Sequence, residues 1–297
     1  MMNAIRTAPN EGRNLLASRL RALFEQNDLL VAPCCYDALS ARLIEQAGFE
    51  MTFMSGFSAS ASRIGQPDLG LMSYGEVVDQ TRNIAEATSL PFVADGDTGY
   101  GNAMNVIRTV KGLARAGAAA VMIEDQVAPK RCGHTTGKEV VERDIAFDRI
   151  KAAVDARAEE DVMLLARTDA RTGHGLSEAI TRAQTFYELG ADIIFIEAPE
   201  SVAEMQQIGA EVPGLLMTNM LEGGATPILP QAELRDMGFN LAAYPLTLLA
   251  AVMNQMIQTL GELREDRVDQ ESLMSFKDVR ARIGFDDYYE TSAKYRS

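Results

Sequence analysis

The chain has 297 residues, 47% of them apolar, with 28 Lys and Arg against 42 Asp and Glu and a formal net charge of −14. That length and apolar share allow a large buried core, while the acidic balance argues against nucleic acid as a partner, because phosphate backbones are held by clustered Lys and Arg. Small anions remain open, since a few inward Arg side chains, backbone N–H groups or a bound metal can hold them.

The opening residues, MMNAIRTAPNEGR, lack the apolar stretch of a signal peptide. The most apolar segment, Leu241 to Leu260, is interrupted by Pro245, Asn254 and Gln255 and is too polar for a bilayer span. Cys34, Cys35 and Cys132 are odd in number and fit no zinc or disulfide spacing. The expectation is a cytoplasmic protein with no membrane partner.

In chain order, short apolar or β-branched runs stop at Gly, Pro or a polar residue at LLVAP (29–33), MTFMS (51–55), FVADG (92–96), AVMIED (120–125), VMLLAR (162–167), IIFIEA (193–198), LLMTN (215–219) and NLAAY (240–244). Amphipathic helical patterns lie between most of them, and those at 103–117 and 177–190 end on a glycine suited to a helix C-terminus. Ser73 with Glu76, and Ser201 with Glu204, have capping-box spacing. Strand then helix, eight times, predicts a parallel sheet closed into a (β/α)8 TIM-type barrel. We read residues 1–297 as a single domain with the barrel core over 28–245 and a helical extension over 246–297. Two helices are expected there, at 246–265 and 272–284, more than one barrel needs for closure. They pack on their own barrel or on a neighbouring subunit.

In such a barrel, chemistry sits where strands end and βα loops begin. The strand ends give Tyr36 and Asp37, Ser55 and Gly56, Asp95 and Asp97, Glu124 and Asp125, Arg167 and Asp169, Glu197, Asn219 and Tyr244. One or two polar endings are ordinary; here nearly every strand has one. Asp95 and Asp97 are two apart in DGDTGYG, so on an extended backbone both carboxylates point one way, and they repel unless they share a proton or a cation. Nothing basic is near them in sequence. With Glu124 as a third oxygen donor, the set suits a hard cation such as Mg²⁺, waters and substrate supplying the rest. The competing reading is an Asx-type turn around Gly99 and Gly101. Cys132 and His134, one of only two histidines, fall in QVAPKRCGHTTGKEVV (126–141), a polar, glycine-punctuated loop that suits no core.

SGFSASASRIGQPDLG, VADGDTGYGN, AAVMIEDQVAPKRCGH, LLARTDAR, FIEAPES and NMLEGGATP resemble, in order and spacing, the isocitrate lyase/phosphoenolpyruvate mutase superfamily over about residues 30–250. The K-R-C-G-H segment marks its carbon–carbon lyase branch. The resemblance implies that Asp95 and Asp97 hold Mg²⁺, with Mn²⁺ as a substitute, and that Glu124 acts through waters. It implies that Ser55, Gly56 and Phe57 present a hydroxyl and N–H groups to a substrate carboxylate, and that Tyr36, Arg167, Glu197 and Asn219 line the same pocket. Cys132, Gly133 and His134 would lie on a loop that closes over the substrate, in a homotetramer with C-terminal helices exchanged between subunits.

Breaking a C–C bond beside a carboxylate leaves a carbanion that a thiol can protonate, and a closing loop delivers it when water is excluded. Lys130, Arg131 and His134 would tune the thiol, whereas Cys34 and Cys35 read as buried small hydrophobes. Methylisocitrate lyases carry an arginine a few residues beyond YPL; here Ala250 stands there, and no Arg or Lys occurs between Arg235 and Arg264, which disfavours a tricarboxylate. CGHTTGK and NMLEGGATP resemble instead the subgroup of 2,3-dimethylmalate lyase and oxaloacetate acetylhydrolase. The expected activity is Mg²⁺-dependent cleavage of a 2-hydroxy dicarboxylate, such as 2,3-dimethylmalate, to a 2-oxo acid such as pyruvate and a simple carboxylate. Cys132 is the acid, Arg167 a carboxylate fork, and Tyr36, Glu124 or a water the base. Oxaloacetate hydrolysis or decarboxylation and methylisocitrate cleavage are the rivals, with a catalytically silent dicarboxylate-binding barrel last.

Overall fold

The computed structural model describes residues 11–133 and 137–295. The eight strands are β1 (Leu30–Cys35), β2 (Thr52–Met54), β3 (Phe92–Asp95), β4 (Ala120–Glu124), β5 (Met163–Thr168), β6 (Ile193–Ile196), β7 (Leu215–Asn219) and β8 (Leu241–Tyr244). Each pairs in parallel with the next, and β8 returns to β1 through Leu30 opposite Leu241, so the barrel is closed. All eight apolar runs read from sequence become strands.

Period-2 alternation sorts each strand into two faces. One apolar cluster gathers Cys34, Phe53, Val93, Met122, Leu165, Phe195, Met217 and Ala243, one or more residues from every strand. The other takes the alternate residues, among them Cys35, Met54, Ala94, Ile123, Ala166, Ile194, Leu216 and Ala242, together with the surrounding helices. Thus the first set fills the barrel and the second glues sheet to helices. Leu16, Leu20, Leu23 and Phe24 of α1 (Glu11–Gln26), a helix not read from the sequence, join the inner cluster.

The remaining helices are α2 (Ala38–Gln46), α3 (Gly56–Ile64), α4 (Tyr74–Ala87), α5 (Ala103–Ala116), α6 (Arg143–Glu160), α7 (Ala170–His174), α8 (Leu176–Glu188), α9 (Val202–Glu211), α10 (Gln231–Asp236), α11 (Thr247–Arg264), α12 (Phe276–Ile283) and α13 (Phe285–Ala293). The Ser73–Glu76 box forms in both directions. The second box forms only by half. Ser201 accepts the Glu204 N–H, but the Glu204 carboxylate accepts from Arg171 and from the Glu200 N–H instead of the Ser201 N–H.

A second compact unit begins at Leu249. Its helices bury almost nothing: Leu249 is the one buried residue of α11, and α12 and α13 have none. Ile257 is 68% and Phe276 75% exposed. Within this unit the Arg280 guanidinium lies over the rings of Phe285 at 5.1 Å and Phe276 at 5.8 Å. The second expected helix is α12, and α13 follows it directly through Gly284. No helix among the described residues is long and apolar enough to cross a membrane.

Candidate active site

The inward series of each strand runs on past the apolar layer, and its next members make the site. After Phe53 comes Ser55, after Val93 Asp95, after Met122 Glu124, after Leu165 Arg167, after Phe195 Glu197 and after Met217 Asn219. A cavity of about 590 Å³, open to solvent at its mouth, is lined by Ser55, Gly56, Phe57, Asp95, Cys132, Gly133, Arg167, Glu197 and Asn219. From β8 the lining residue is Ala243, followed by Pro245 just past the strand, and not Tyr244. Tyr244 is out of phase with Ala243 and packs against the outer cluster.

Ser55 caps α3 by accepting the Ser58 N–H (3.2 Å). This leaves the N–H groups of Gly56 and Phe57 at the helix start, where backbone donors and dipole favour an anion. A Cβ on Gly56 would overlap the Asp95 carboxylate, so only glycine lets the helix start come this close to the acid.

Asp95 and Asp97 do converge, though not by extended backbone. β3 ends at Asp95, and Asp97 takes a left-handed φ of 50°, its N–H donating to Asp95 Oδ1 (2.9 Å). The Asx turn and the carboxylate pair are therefore one structure. A base is present as well, from another loop: Lys130 Nζ lies 2.6 Å from Asp97 Oδ1, 2.8 Å from Asp68 Oδ2 and 3.9 Å from Asp95 Oδ2. Burial alone would lower the Lys130 ammonium, but Asp97, Asp95 and Asp68 together hold it well above its ordinary value. Burial raises Asp95, with Lys130 opposing. Lys130 thus sets its charge among the three carboxylates.

Arg167 presents its fork to the protein. Nε and Nη2 donate to the two oxygens of Asp169 (2.8 and 3.0 Å), Nη2 is 3.0 Å from Glu197 Oε2, and Nε is 3.3 Å from Glu124 Oε2. A second bidentate partner, the expected substrate carboxylate, cannot use the same two nitrogens. Glu197 is fully engaged: Oε1 accepts the Ala198 N–H (3.0 Å) and Oε2 the Asn219 amide (3.2 Å). With Arg167 Nη2 also on Oε2, it orients its neighbours.

Glu124 differs. It is 1% exposed and both carboxylate oxygens lack a hydrogen-bond partner. Burial pushes its carboxyl well above the usual range, Arg167 pulling the other way. Tyr36 is buried, with its hydroxyl raised by burial, and lies outside the cavity lining. His134 lies outside the described residues.

The loop carrying Cys132 is tied at its base. Gln126 accepts the Arg131 N–H and donates to the Arg131 carbonyl (both 2.9 Å), while Arg149 donates to the carbonyls of Glu124 (2.6 Å) and Gln126 (3.0 Å). Sequence reading named Asp169 at a strand end but not as the partner of Arg167, and it missed Asp68 and Lys138, although both lie in quoted motifs. Their signal is charge placed on loops, which has no periodicity to detect.

Do these residues fit a divalent metal? Lining the cavity are the carboxylates of Asp68, Asp95 and Glu197 and the cations of Lys130, Arg131 and Arg167, with Asp97 and Glu124 in ion-pair contact with this set. A dicarboxylate entering it brings negative charge that a bound cation would offset. The orphaned oxygens of Glu124 ask for the same. No three His, Cys, Asp or Glu groups among the described residues form a cage by themselves, so a divalent cation here would take the rest of its shell from water and substrate oxygens. The donor set fits.

A family model described as phosphoenolpyruvate phosphomutase matches residues 20–264. The 2,3-dimethylmalate lyase of Eubacterium barkeri is 41% identical over 282 residues, covering 94% of this chain and 98% of that protein. A structure of oxaloacetate acetylhydrolase with the inhibitor 3,3-difluorooxalacetate superposes with a TM-score of 0.90 at 35% identity, covering 95% of this chain and 97% of that one. One of phosphonopyruvate hydrolase with oxalate and Mg²⁺ gives 0.84 at 31% identity, covering 94% and 99%.

Proposed function

Because the chain belongs to the phosphoenolpyruvate phosphomutase family, we propose that it is a carbon–carbon lyase that cleaves a malate-like 2-hydroxy dicarboxylate, such as 2,3-dimethylmalate, into a 2-oxo acid such as pyruvate and a simple carboxylate. The observation that carries this reading is Cys132 in one cavity with Ser55, Asp95, Arg167 and Asn219. A divalent metal is part of it, with Mg²⁺ ahead of Mn²⁺.

Asp95 and Asp97 would hold that metal, with Glu124 behind them, and when bound it supplies Lewis acidity to the substrate's carboxylate and C2 oxygen. The N–H groups of Gly56 and Phe57 and the Ser55 hydroxyl bind a carboxylate at the start of α3. Arg167, braced by Asp169 and Glu197, lends positive potential, and Asn219 is aimed by Glu197. Glu124, with its raised carboxyl and unpartnered oxygens, suits the base better than Tyr36, because a carboxylate brought nearer neutrality accepts a proton more readily. It takes the C2 hydroxyl proton, the C2–C3 bond breaks as C2 becomes a ketone, and the electron pair left on C3 spreads into the adjacent carboxylate. Cys132 S–H then protonates C3.

Oxaloacetate hydrolysis is the second reading, favoured by the likeness to oxaloacetate acetylhydrolase; a hydrate at C2 would enter the same bond cleavage and yield oxalate and acetate. Oxaloacetate decarboxylation has no need of Cys132. Methylisocitrate cleavage ranks lower, as Ala250 stands where those lyases carry an arginine and no Arg or Lys occurs between Arg235 and Arg264. Assays for pyruvate with a panel of substituted malates, and for oxalate with oxaloacetate, each with and without Mg²⁺, discriminate these. No turnover of any of them would leave the silent barrel.

The apolar faces of α11–α13 support a homo-oligomer, a tetramer by family resemblance, with these helices exchanged between cytoplasmic subunits. A monomer by light scattering at micromolar concentration would reject it.

A further inference from the structure

Lys138 belongs to no step described above, yet its side chain is 1% exposed. A buried ammonium persists only where it is paired and hydrogen-bonded, and both of its partners are informative. It donates to the carbonyl of Gly133, and it lies 3.1 Å from Asp169 Oδ1. Asp169 is the residue whose two oxygens clamp Arg167. It is itself held still, its N–H donating to Asp125 Oδ1 (2.9 Å), while Thr168 (2.7 Å) and Arg182 (3.1 Å) donate to Asp125 Oδ2. Gly133 abuts the same guanidinium: a Cβ there would overlap Arg167 Nη2 and come within 2.7 Å of Glu197 Cγ.

We propose that Lys138 is a positioning residue that sets the Cys132–Gly133 turn against Arg167 by bridging the Gly133 carbonyl to Asp169. A point charge with three donors can serve a carbonyl and a carboxylate at once. The turn that carries the thiol is thereby registered on the strand that carries the cation, and Cys132 meets the reacting carbon at a fixed reach. This last consequence rests on the reading of Cys132 as the acid; the tie itself does not.

The cysteines allow a test free of turnover. Cys34 is 2% and Cys35 0% exposed, with both thiols pushed up by burial, Cys35 to about 12, so Cys132 is the thiol that iodoacetamide reaches first. Breaking the tie with Lys138→Met should speed alkylation of Cys132 about tenfold, as expected when a local opening becomes easier. Asp169→Ala, which removes the acceptor at the other end, should do the same. The double variant should label no faster than the faster single, because one tie is lost only once. In turnover, Lys138→Met should lower kcat about 10²-fold with little change in KM, the signature of a misplaced group. If Lys138→Met does not fold, Lys138→Gln takes its place under both readings. Labelling at the parent rate, or effects of the two substitutions that simply multiply, would overturn the proposal. A chain that turns over no dicarboxylate yet shows the coupled rise in labelling would refute the lyase reading and support the tie.

Discussion

Two levels of the same barrel have opposite chemistry. At the level of Met122, Leu165, Phe195 and Met217 the inward face is apolar and buried, with Met122, Phe195 and Met217 also lining the cavity; two residues further along those strands it is Glu124, Arg167, Glu197 and Asn219. The lower level stabilises the fold by burial, at about 25 cal/mol per Å². The upper level works against it. Asp95 and Glu124 are carboxyls whose burial favours the neutral form, offset in part by Lys130 and Arg167. One strand therefore serves stability with its first inward residues and chemistry with its last, and substitutions at the two levels should separate stability from rate.

The largest effect is expected at the top. Asp95→Ala should bring turnover to background, by roughly 10³-fold or more as for loss of a group that stabilises the transition state, while the melting temperature stays close to the parent's because the packed layer below is untouched. Activity that survives excess chelator would remove the metal from the chemistry and blur the contrast.

Leu165→Ala tests the lower level. It lies two residues before Arg167 and is fully buried, so truncation should cost about 2–5 kcal/mol, seen as a lower urea midpoint. The rate per folded molecule should change far less than with Asp95→Ala. A comparable loss of rate would mean that the two levels are not separable.

Cys132→Ser probes the loop above both. Its stability change should be on the order of 0.5 kcal/mol, whereas C–C cleavage of a substituted malate should slow by roughly 10²-fold, because a hydroxyl is a far weaker acid. Oxaloacetate decarboxylation, where water can give the proton, should be less affected. Cleavage of the malate at the parent rate would exclude Cys132 as the acid.

The smallest effect lies outside both levels. Glu178 on α8 is held at about 2, below its ordinary 4.5, chiefly by its hydrogen bond from Arg143, with burial opposing and Arg182 adding. Its folded value lies below the unfolded one, so its stabilisation is present above about pH 4.5 and is lost as pH falls towards 2. Arg143 is half exposed to solvent, so the pair contributes modestly. Urea midpoints of parent and Glu178→Gln should differ slightly at pH 7 and converge near pH 2; a gap that widens on acidification would reverse the assignment.

The sequence by itself determined the barrel, because period-2 burial and chain-breaking residues are local signals, and eight strand–helix alternations admit few closures. It also pointed Asp95, Arg167, Glu197 and Asn219 to one cavity, with Glu124 in the same phase beside Arg167, since each continues the inward series of its own strand. The helix α1 escaped because it joins the inner cluster as a separate element before the first strand, with no repeat to announce it. Only the tertiary structure decided which charges meet. Lys130 reaches Asp68 and Asp97, and Lys138 reaches Asp169, across loops 62, 33 and 31 residues apart. Coulomb pairing has no periodicity along the chain. It depends on which βα loops the closed barrel makes neighbours, and so the fork of Arg167, the place of Lys130 and the tie at Lys138 become visible only once the ring of strands is complete.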